Sequence, residues 1–212
     1  MIQGKFITLE GGEGVGKTTN IQFVADYLER QGKDVIVTRE PGGTEVSESI
    51  RAILLDSKQK DLCDSTELLL IFAARVQHVQ QYISPALEAG KWVVSDRFID
   101  ATYAYQGGGR GIETERIKQL QLWCSPLPSP DLTLLLDADI QVGTTRALSR
   151  GELDRFELEK VEFFKKVRRA YVNLASKSPD RIKIVNAAQN LAGVQREITI
   201  HLQVLLQDYF NE

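Results

Sequence analysis

A chain of 212 residues, 42% hydrophobic and 26% charged, has the size of one domain and too ordinary a composition for intrinsic disorder. Its 26 Lys and Arg stand against 29 Asp and Glu, and the net charge of −3 argues against a broad nucleic-acid-binding face while leaving room for a local basic pocket. The longest apolar run, Leu68 to Ala74, is far short of a membrane span, and Cys63 and Cys124, without C-x-x-C spacing, favour a reducing compartment.

The opening residues lack the long apolar segment of a secretory signal and lead instead into a first strand at Phe6–Leu9. After a glycine cluster, Ile21, Val24, Ala25 and Leu28 recur at helical spacing. Val35–Val37 is the second strand, followed by a turn at Pro41-Gly42-Gly43 and a helix from about Val46 to Leu55. A long helix is expected from about Thr66 to Ala89, kinked or broken at Pro85. Trp92–Val94 is the third strand, with helical patterns at Ala101–Tyr105 and Glu115–Cys124. The intervening Tyr103–Gly111 is too glycine-rich for a helix interior and reads as a flexible segment. Leu132–Leu136 is the fourth strand, residues 140–148 have a helical pattern, and 149–158 form a charged connection. A further helix carries Phe164, Val167, Tyr171 and Leu174 on one face, Ile182–Val185 is the fifth strand, and Val194, Ile198, Leu202 and Leu205 mark the last helix. Strands separated by helices predict an α/β fold, a five-stranded parallel sheet covered on both faces, whose ligands bind beyond the carboxyl ends of the strands.

The first such end carries Gly11-Gly12-Glu13-Gly14-Val15-Gly16-Lys17-Thr18, which fits G-x-x-x-x-G-K-[ST] at every fixed position. Glycines let successive backbone N–H groups wrap around phosphate oxygens, and the following helix adds its positive end. Lys17 would reach the β- and γ-phosphates and the Thr18 hydroxyl would hold Mg²⁺. A chance match in a chain of this length is below roughly 1 in 100, so the loop predicts a nucleoside triphosphate site.

The loop alone does not separate kinases from GTPases, motors or assembly ATPases. A GTPase switch would want D-x-x-G after a strand and an N-K-x-D box, and neither string occurs. Asp96-Arg97 at the exit of the third strand pairs an acid able to hold Mg²⁺ or its water with a guanidinium able to fork onto a phosphate; a structural ion pair is the alternative. Arg39 leaves the second strand in the same way, as a phosphate ligand or a solvated turn residue. Phe72 and Arg75 lie three apart on one helix, suited to stacking and edge-bonding a planar base, although Phe72 taken alone reads more readily as a core residue. Arg146, Arg150 and Arg155 surround Gly151-Glu152-Leu153-Asp154, either a solvated charged face or a lid laying an arginine on a transferring phosphoryl group. His78 and His201 have no ligand-spaced companions and point to no metal or triad.

In this order the phosphate loop, Thr38–Thr44, Phe72–Arg75, Asp96-Arg97, Ala104–Gly111 and Arg150–Arg155 together resemble the thymidylate kinase family in its bacterial form, over nearly the whole chain. The resemblance implies a single domain over 1–212, the P-loop nucleoside monophosphate kinase fold, and phosphorylation of dTMP to dTDP by Mg²⁺·ATP in dTTP synthesis. It implies ATP binding by Gly11 to Thr19 (Gly12, Glu13, Gly14, Val15, Gly16, Lys17 and Thr18 included), with Thr18 and Asp96 on the metal. Phe72 would stack on thymine, Arg75 would bond its edge, and Thr102 and Gln106 would lie beside it. Tyr105 would press on the 2′ carbon, Glu13 would accept the 3′-hydroxyl, and Arg97, with Arg39 and Arg51, would hold the acceptor phosphate. Asn186–Gln189 would border the adenine. Because Gly14 follows Glu13, the catalytic arginine found in the loop of some members must come from a lid at about 146–158, with Arg150 the choice; Lys17 and Arg97 complete the catalytic set. A cytoplasmic homodimer, with no nucleic acid and no membrane among its partners, is the accompanying expectation.

Overall fold

A computed structural model describes residues 4–141 and 154–211; most of the helix expected at 140–148 and the first part of the charged connection lie outside them. Five strands form one parallel sheet, β1 (Phe6–Glu10), β2 (Val35–Arg39), β3 (Trp92–Asp96), β4 (Leu132–Asp137) and β5 (Ile182–Asn186), in the order β2-β3-β1-β4-β5. Each strand matches the expected position, extended by one or two residues at its carboxyl end. Those extra residues include Glu10, Arg39, Asp96 and Asp137, so each of these ladders ends on a charged side chain.

β1 is buried along its whole length because helices cover both faces. Ile7 and Leu9 join Leu134 and Leu136 of β4 against α1 (Lys17–Arg30) and the last helix, labelled α8 (Leu191–Asn211). Phe6 and Val93 face the other way, onto Leu68 and Phe72 of α3 (Asp64–His78) and onto Phe98. A third cluster packs Leu135 and Tyr105 on α7 (Val161–Lys177). Burial of each such side chain stabilises the fold by about 1.5–3 kcal/mol relative to leaving it exposed.

α2 (Glu45–Leu55) starts at Thr44, whose Oγ1 accepts from the Ser47 amide at 3.2 Å. Beyond α3 the expected helix runs on through a π-helical stretch, Val79–Ile83, into α4 (Ser84–Glu88). Pro85 therefore does not break the helix. Its ring displaces the carbonyl four residues back, and the chain widens just before it, with the Ser84 amide donating five residues back to Val79.

A second π-helical stretch, Tyr103–Gly109, follows α5 (Ile99–Thr102) and precedes α6 (Thr114–Trp123). Here the expectation of a flexible segment is overturned. A Cβ on Gly108 would come within 2.6 Å of the Ala170 Cβ, and one on Gly109 within 2.4 Å of the Phe163 ring. These glycines let α7 approach the backbone closely. On α7 itself the buried stripe is Phe163, Val167, Tyr171 and Ala175, with Phe164 and Leu174 only partly buried at its margin, so the expected face is the buried one, centred on Val167 and Tyr171.

Candidate active site

The carboxyl ends of β1, β2 and β3 open into a cavity of about 590 Å³. Its walls are the glycine loop after β1, Arg39 to Pro41 after β2, Asp96 to Phe98 after β3, the inner face of α3, residues 101–106, and a turn at 154–157.

The loop forms one end. Gly11 has φ 137°, and a Cβ there would meet the Leu136 carbonyl oxygen at 2.4 Å, so only glycine lets the chain leave β1 against β4. α1 then begins at Lys17 with no side-chain cap and no acid in its first turn, leaving that end of the helix dipole positive. Lys17 Nζ lies back along the loop, donating to the carbonyls of Gly12 (2.7 Å) and Gly11 (3.3 Å). Burial, and then the charge of Arg97, lowers its pKa. Glu13, Gly14, Gly16, Thr18 and Thr19 line the cavity beside it.

Arg97 marks the other end. Among the described residues it is the one non-glycine residue with a positive φ, 67°. Its amide still donates to Leu9 at 3.0 Å, in line with the ladder, and the next amide, Phe98, turns to the Glu10 carboxyl at 2.8 Å. The guanidinium lies over the Tyr105 ring, 4.7 Å from its centroid, and donates to Glu13 Oε1 (2.5 Å), the Gly11 carbonyl (2.9 Å) and the Tyr171 hydroxyl (3.2 Å). Tyr105 donates to the same Glu13 oxygen at 2.8 Å. Burial works against the Arg97 charge, yet its surroundings, Glu13 and Asp96 included, hold its pKa well above the ordinary arginine value. Beneath it, burial and then Asp100 push the Glu10 carboxyl up to about 8, with Tyr171 hydrogen-bonded to it at 2.7 Å.

Arg75 is buried and points along α3 into the same space. It donates to Glu40 Oε2 (2.7 Å), Thr102 Oγ1 (2.9 Å) and the Phe98 carbonyl (3.1 Å). Glu40 is fixed in turn by His78 at 3.2 Å, whose other ring nitrogen meets Thr38 Oγ1 at 2.7 Å. Phe72 is not among the residues lining the cavity: its ring is 3% exposed, in the core with Leu68 and Phe98. At about 100° per residue, the position four before Arg75 shares its direction more closely than the position three before, and Ile71 lines the cavity instead. Arg39 and Arg51 both line it, Arg39 paired to Glu48 at 2.9 Å and Arg51 donating to the Pro41 carbonyl at 2.8 Å.

Of the three arginines flanking the charged connection, Arg146 and Arg150 lie outside the described residues. Arg155 does not line the cavity. Its amide donates to the Leu55 carbonyl (3.2 Å), its Nε to the Leu54 carbonyl (2.8 Å) and its Nη2 to the buried Glu67 (2.5 Å). Asn186 and Gln189 both bond Glu197, away from this cavity.

Among the described residues no three His, Cys, Asp or Glu side chains gather as a metal cage. One atom nevertheless suits a cation: Asp96 Oδ1 is buried without a hydrogen-bond partner, and Asp96 and Thr18 line the same cavity. One carboxylate and one hydroxyl fit Mg²⁺, which keeps waters and takes its remaining ligands from phosphates.

Sequence reasoning gave no role to Glu40, the buried carboxylate that holds Arg75, to His78 behind it, or to Glu67, which holds Arg110 and Arg155 outside the cavity lining. Each bonds a partner at least 35 residues away, so no local spacing marks it; an acid in the Arg39-Glu40 step was the nearest signal.

A family profile described as Thymidylate kinase matches residues 9–198. The chain is 51% identical over 205 residues to a thymidylate kinase of Ruthia magnifica subsp. Calyptogena magnifica, covering 97% of this chain and all of that one. It is 52% identical over 204 residues to a thymidylate kinase of Ectopseudomonas mendocina, covering 96% and 97%. A crystal structure of thymidylate kinase from Ehrlichia chaffeensis superposes with a TM-score of 0.77 at 35% identity, covering 95% of this chain and 99% of that one.

Proposed function

The chain belongs to the thymidylate kinase family, an ATP-dependent nucleoside monophosphate kinase family that converts dTMP to dTDP, and from that premise we propose how this cavity carries the reaction. The transfer is direct and in line, between ATP on the glycine loop and dTMP against α3 and Arg97, within one kinase domain spanning residues 1–212. The observation that carries this reading is the meeting of Arg97, Tyr105 and Glu13 on one carboxylate oxygen, next to the phosphate loop. It supports a reading in which the Arg97 guanidinium, beside the phosphate loop, holds the acceptor phosphate facing a γ-phosphate.

The acceptor oxygen is ionised at neutral pH, so no general base is required. The chain's task is alignment and charge neutralisation. Loop amides and Lys17 hold the β- and γ-phosphates, Lys17 leaving the two loop carbonyls it now bonds. Arg97, with Arg39 and Arg51 nearby, holds the acceptor phosphate. Arg150, in the segment outside the described residues, stabilises charge that develops in the transition state. Thr18 and Asp96 would hold Mg²⁺, which would supply charge neutralisation to the phosphates. Arg75 and Thr102 read the base edge beside Gln106, and Ile71, rather than Phe72, supplies the apolar surface under the ring. Tyr105 and Glu13 read the sugar. Asn186–Gln189 borders the adenine.

No helix among the described residues is long and apolar enough to cross a membrane. A cytoplasmic homodimer acting on ATP and dTMP, without nucleic acid, is the setting proposed for it. A coupled ADP-release assay with Mg²⁺·ATP and dTMP, dUMP, UMP, dCMP, dGMP or AMP tests the reading. Strong turnover with dTMP, less with dUMP and almost none with UMP is expected. A preference for another monophosphate would remove the roles given to Ile71, Arg75, Thr102 and Tyr105.

A further inference from the structure

Glu67 is fully buried on α3, below the cavity and outside its lining. Its two oxygens accept four hydrogen bonds from three side chains. Oε1 takes Gln106 Nε2 (2.8 Å) and Arg110 Nε (3.2 Å); Oε2 takes Arg110 Nη2 (3.0 Å) and Arg155 Nη2 (2.5 Å). Burial alone would raise its pKa, but the bonds from Arg110, Gln106 and Arg155 outweigh it and hold the carboxyl below its ordinary value. The three partners come from separate parts of the chain. Gln106 lies in the π-helical stretch next to Tyr105, and itself lines the cavity. Arg110 follows that stretch and ties it to Glu159, its guanidinium 4.7 Å from the centroid of the Phe163 ring of α7. Arg155 sits in the turn whose Asp154, Phe156 and Glu157 form one cavity wall, and it bonds the last carbonyls of α2. Phe156 also meets the Tyr105 ring edge-on, with centroids 5.9 Å apart.

We infer that Glu67 is a positioning residue for the acceptor nucleotide, locking α3, the Tyr105–Gln106 stretch and the 154–157 turn in register around it, and that Arg155 serves this lock rather than the phosphoryl group. The geometry leaves no neutral substitute. In Glu67→Gln an amide N–H₂ replaces one acceptor oxygen and faces arginine donors whichever way it is turned. The walls that contact dTMP lose their common anchor, while the phosphate loop, built on β1 and α1, keeps its own bonds.

The inference rests on this cavity being the dTMP site. Steady-state kinetics on the full chain, with Glu67→Gln, Arg155→Gln and the double variant, test it. The expected result is a KM for dTMP raised about 10-fold or more in each, a KM for ATP within about 2-fold of wild type, and a double variant no worse than the worse single one. Unchanged KM for both substrates, with activity falling only in step with the folded fraction, would overturn it by making the cluster merely structural. Multiplicative effects in the double variant would overturn the shared lock. Should wild type show no dTMP-dependent turnover, the site assignment itself fails, a result distinct from either of these.

Discussion

At one end of the cavity eight consecutive residues, Gly11 to Thr18, form the loop from backbone groups and one lysine, between a strand and the start of a helix. At the other end no two of the key side chains Arg75, Arg97 and Tyr105 share an element, and each is held by a carboxylate or hydroxyl from elsewhere in the chain. The first end is local and its geometry follows from glycine conformation and the helix terminus. The second is assembled by tertiary packing, and buried acids, Glu40 and Glu67, take the place of a contiguous motif. On the proposed reading, the triphosphate's phosphates rest on the loop and helix alone, whereas selection of the acceptor depends on several elements keeping register.

The largest effect expected separates phosphoryl transfer from both ends. Arg150→Ala should lower kcat by about 1,000-fold, in the range known for arginines that stabilise a transferring phosphoryl group, with the KM for dTMP changed little. Near-normal kcat would remove Arg150 from catalysis and, given the placement of Arg155, leave Arg146 to be tried. A smaller and sharper contrast concerns adjacent residues of α3. Ile71→Ala should raise the KM for dTMP about 5-fold, roughly 1 kcal/mol of lost apolar contact, and leave that for ATP unchanged. Phe72→Ala should instead cost about 3–5 kcal/mol of stability as a core truncation, read as a lower Tm with the KM values of the folded fraction preserved. The reverse pattern would restore Phe72 as the stacking residue.

A pH-dependent effect lies under Arg97. With its folded pKa raised from 4.5 to about 8, Glu10 binds more protons folded than unfolded between those values. Its ionisation therefore costs the fold increasing stability as pH rises through that window. Glu10→Gln should gain on wild type by about 4 kcal/mol, roughly 10 °C of Tm, between pH 5 and pH 8. A constant difference across that range would contradict the raised pKa.

The strands, the glycine loop and its helix were legible because each rests on local order: short apolar runs, a fixed motif, a recurring 3–4 spacing. Helix phase was less so. Phe72 and Ile71 both fall near the Arg75 face, and only packing against Phe98 and Leu68 decides which ring or branch turns inward. The π-helical stretches escaped because five-residue hydrogen bonding leaves no 3.6-residue signature, and glycines at 108 and 109 read as freedom where α7 needs proximity. Glu67 was illegible for another reason. Its partners lie 39, 43 and 88 residues on, and nothing local distinguishes it from a solvated helix acid.

Glu13 is where the two ends meet. It belongs to the glycine loop by position, yet its side chain bonds Arg97 and Tyr105. Separate equilibrium titrations of dTMP and of ATP into wild type and Glu13→Gln therefore test the division most directly. The dissociation constant for dTMP should rise about 10-fold or more, as expected for weakening a charged hydrogen-bond partner, with that for ATP within about 2-fold. An equal loss for both nucleotides, or a loss for ATP alone, would contradict a cavity with two separately built ends.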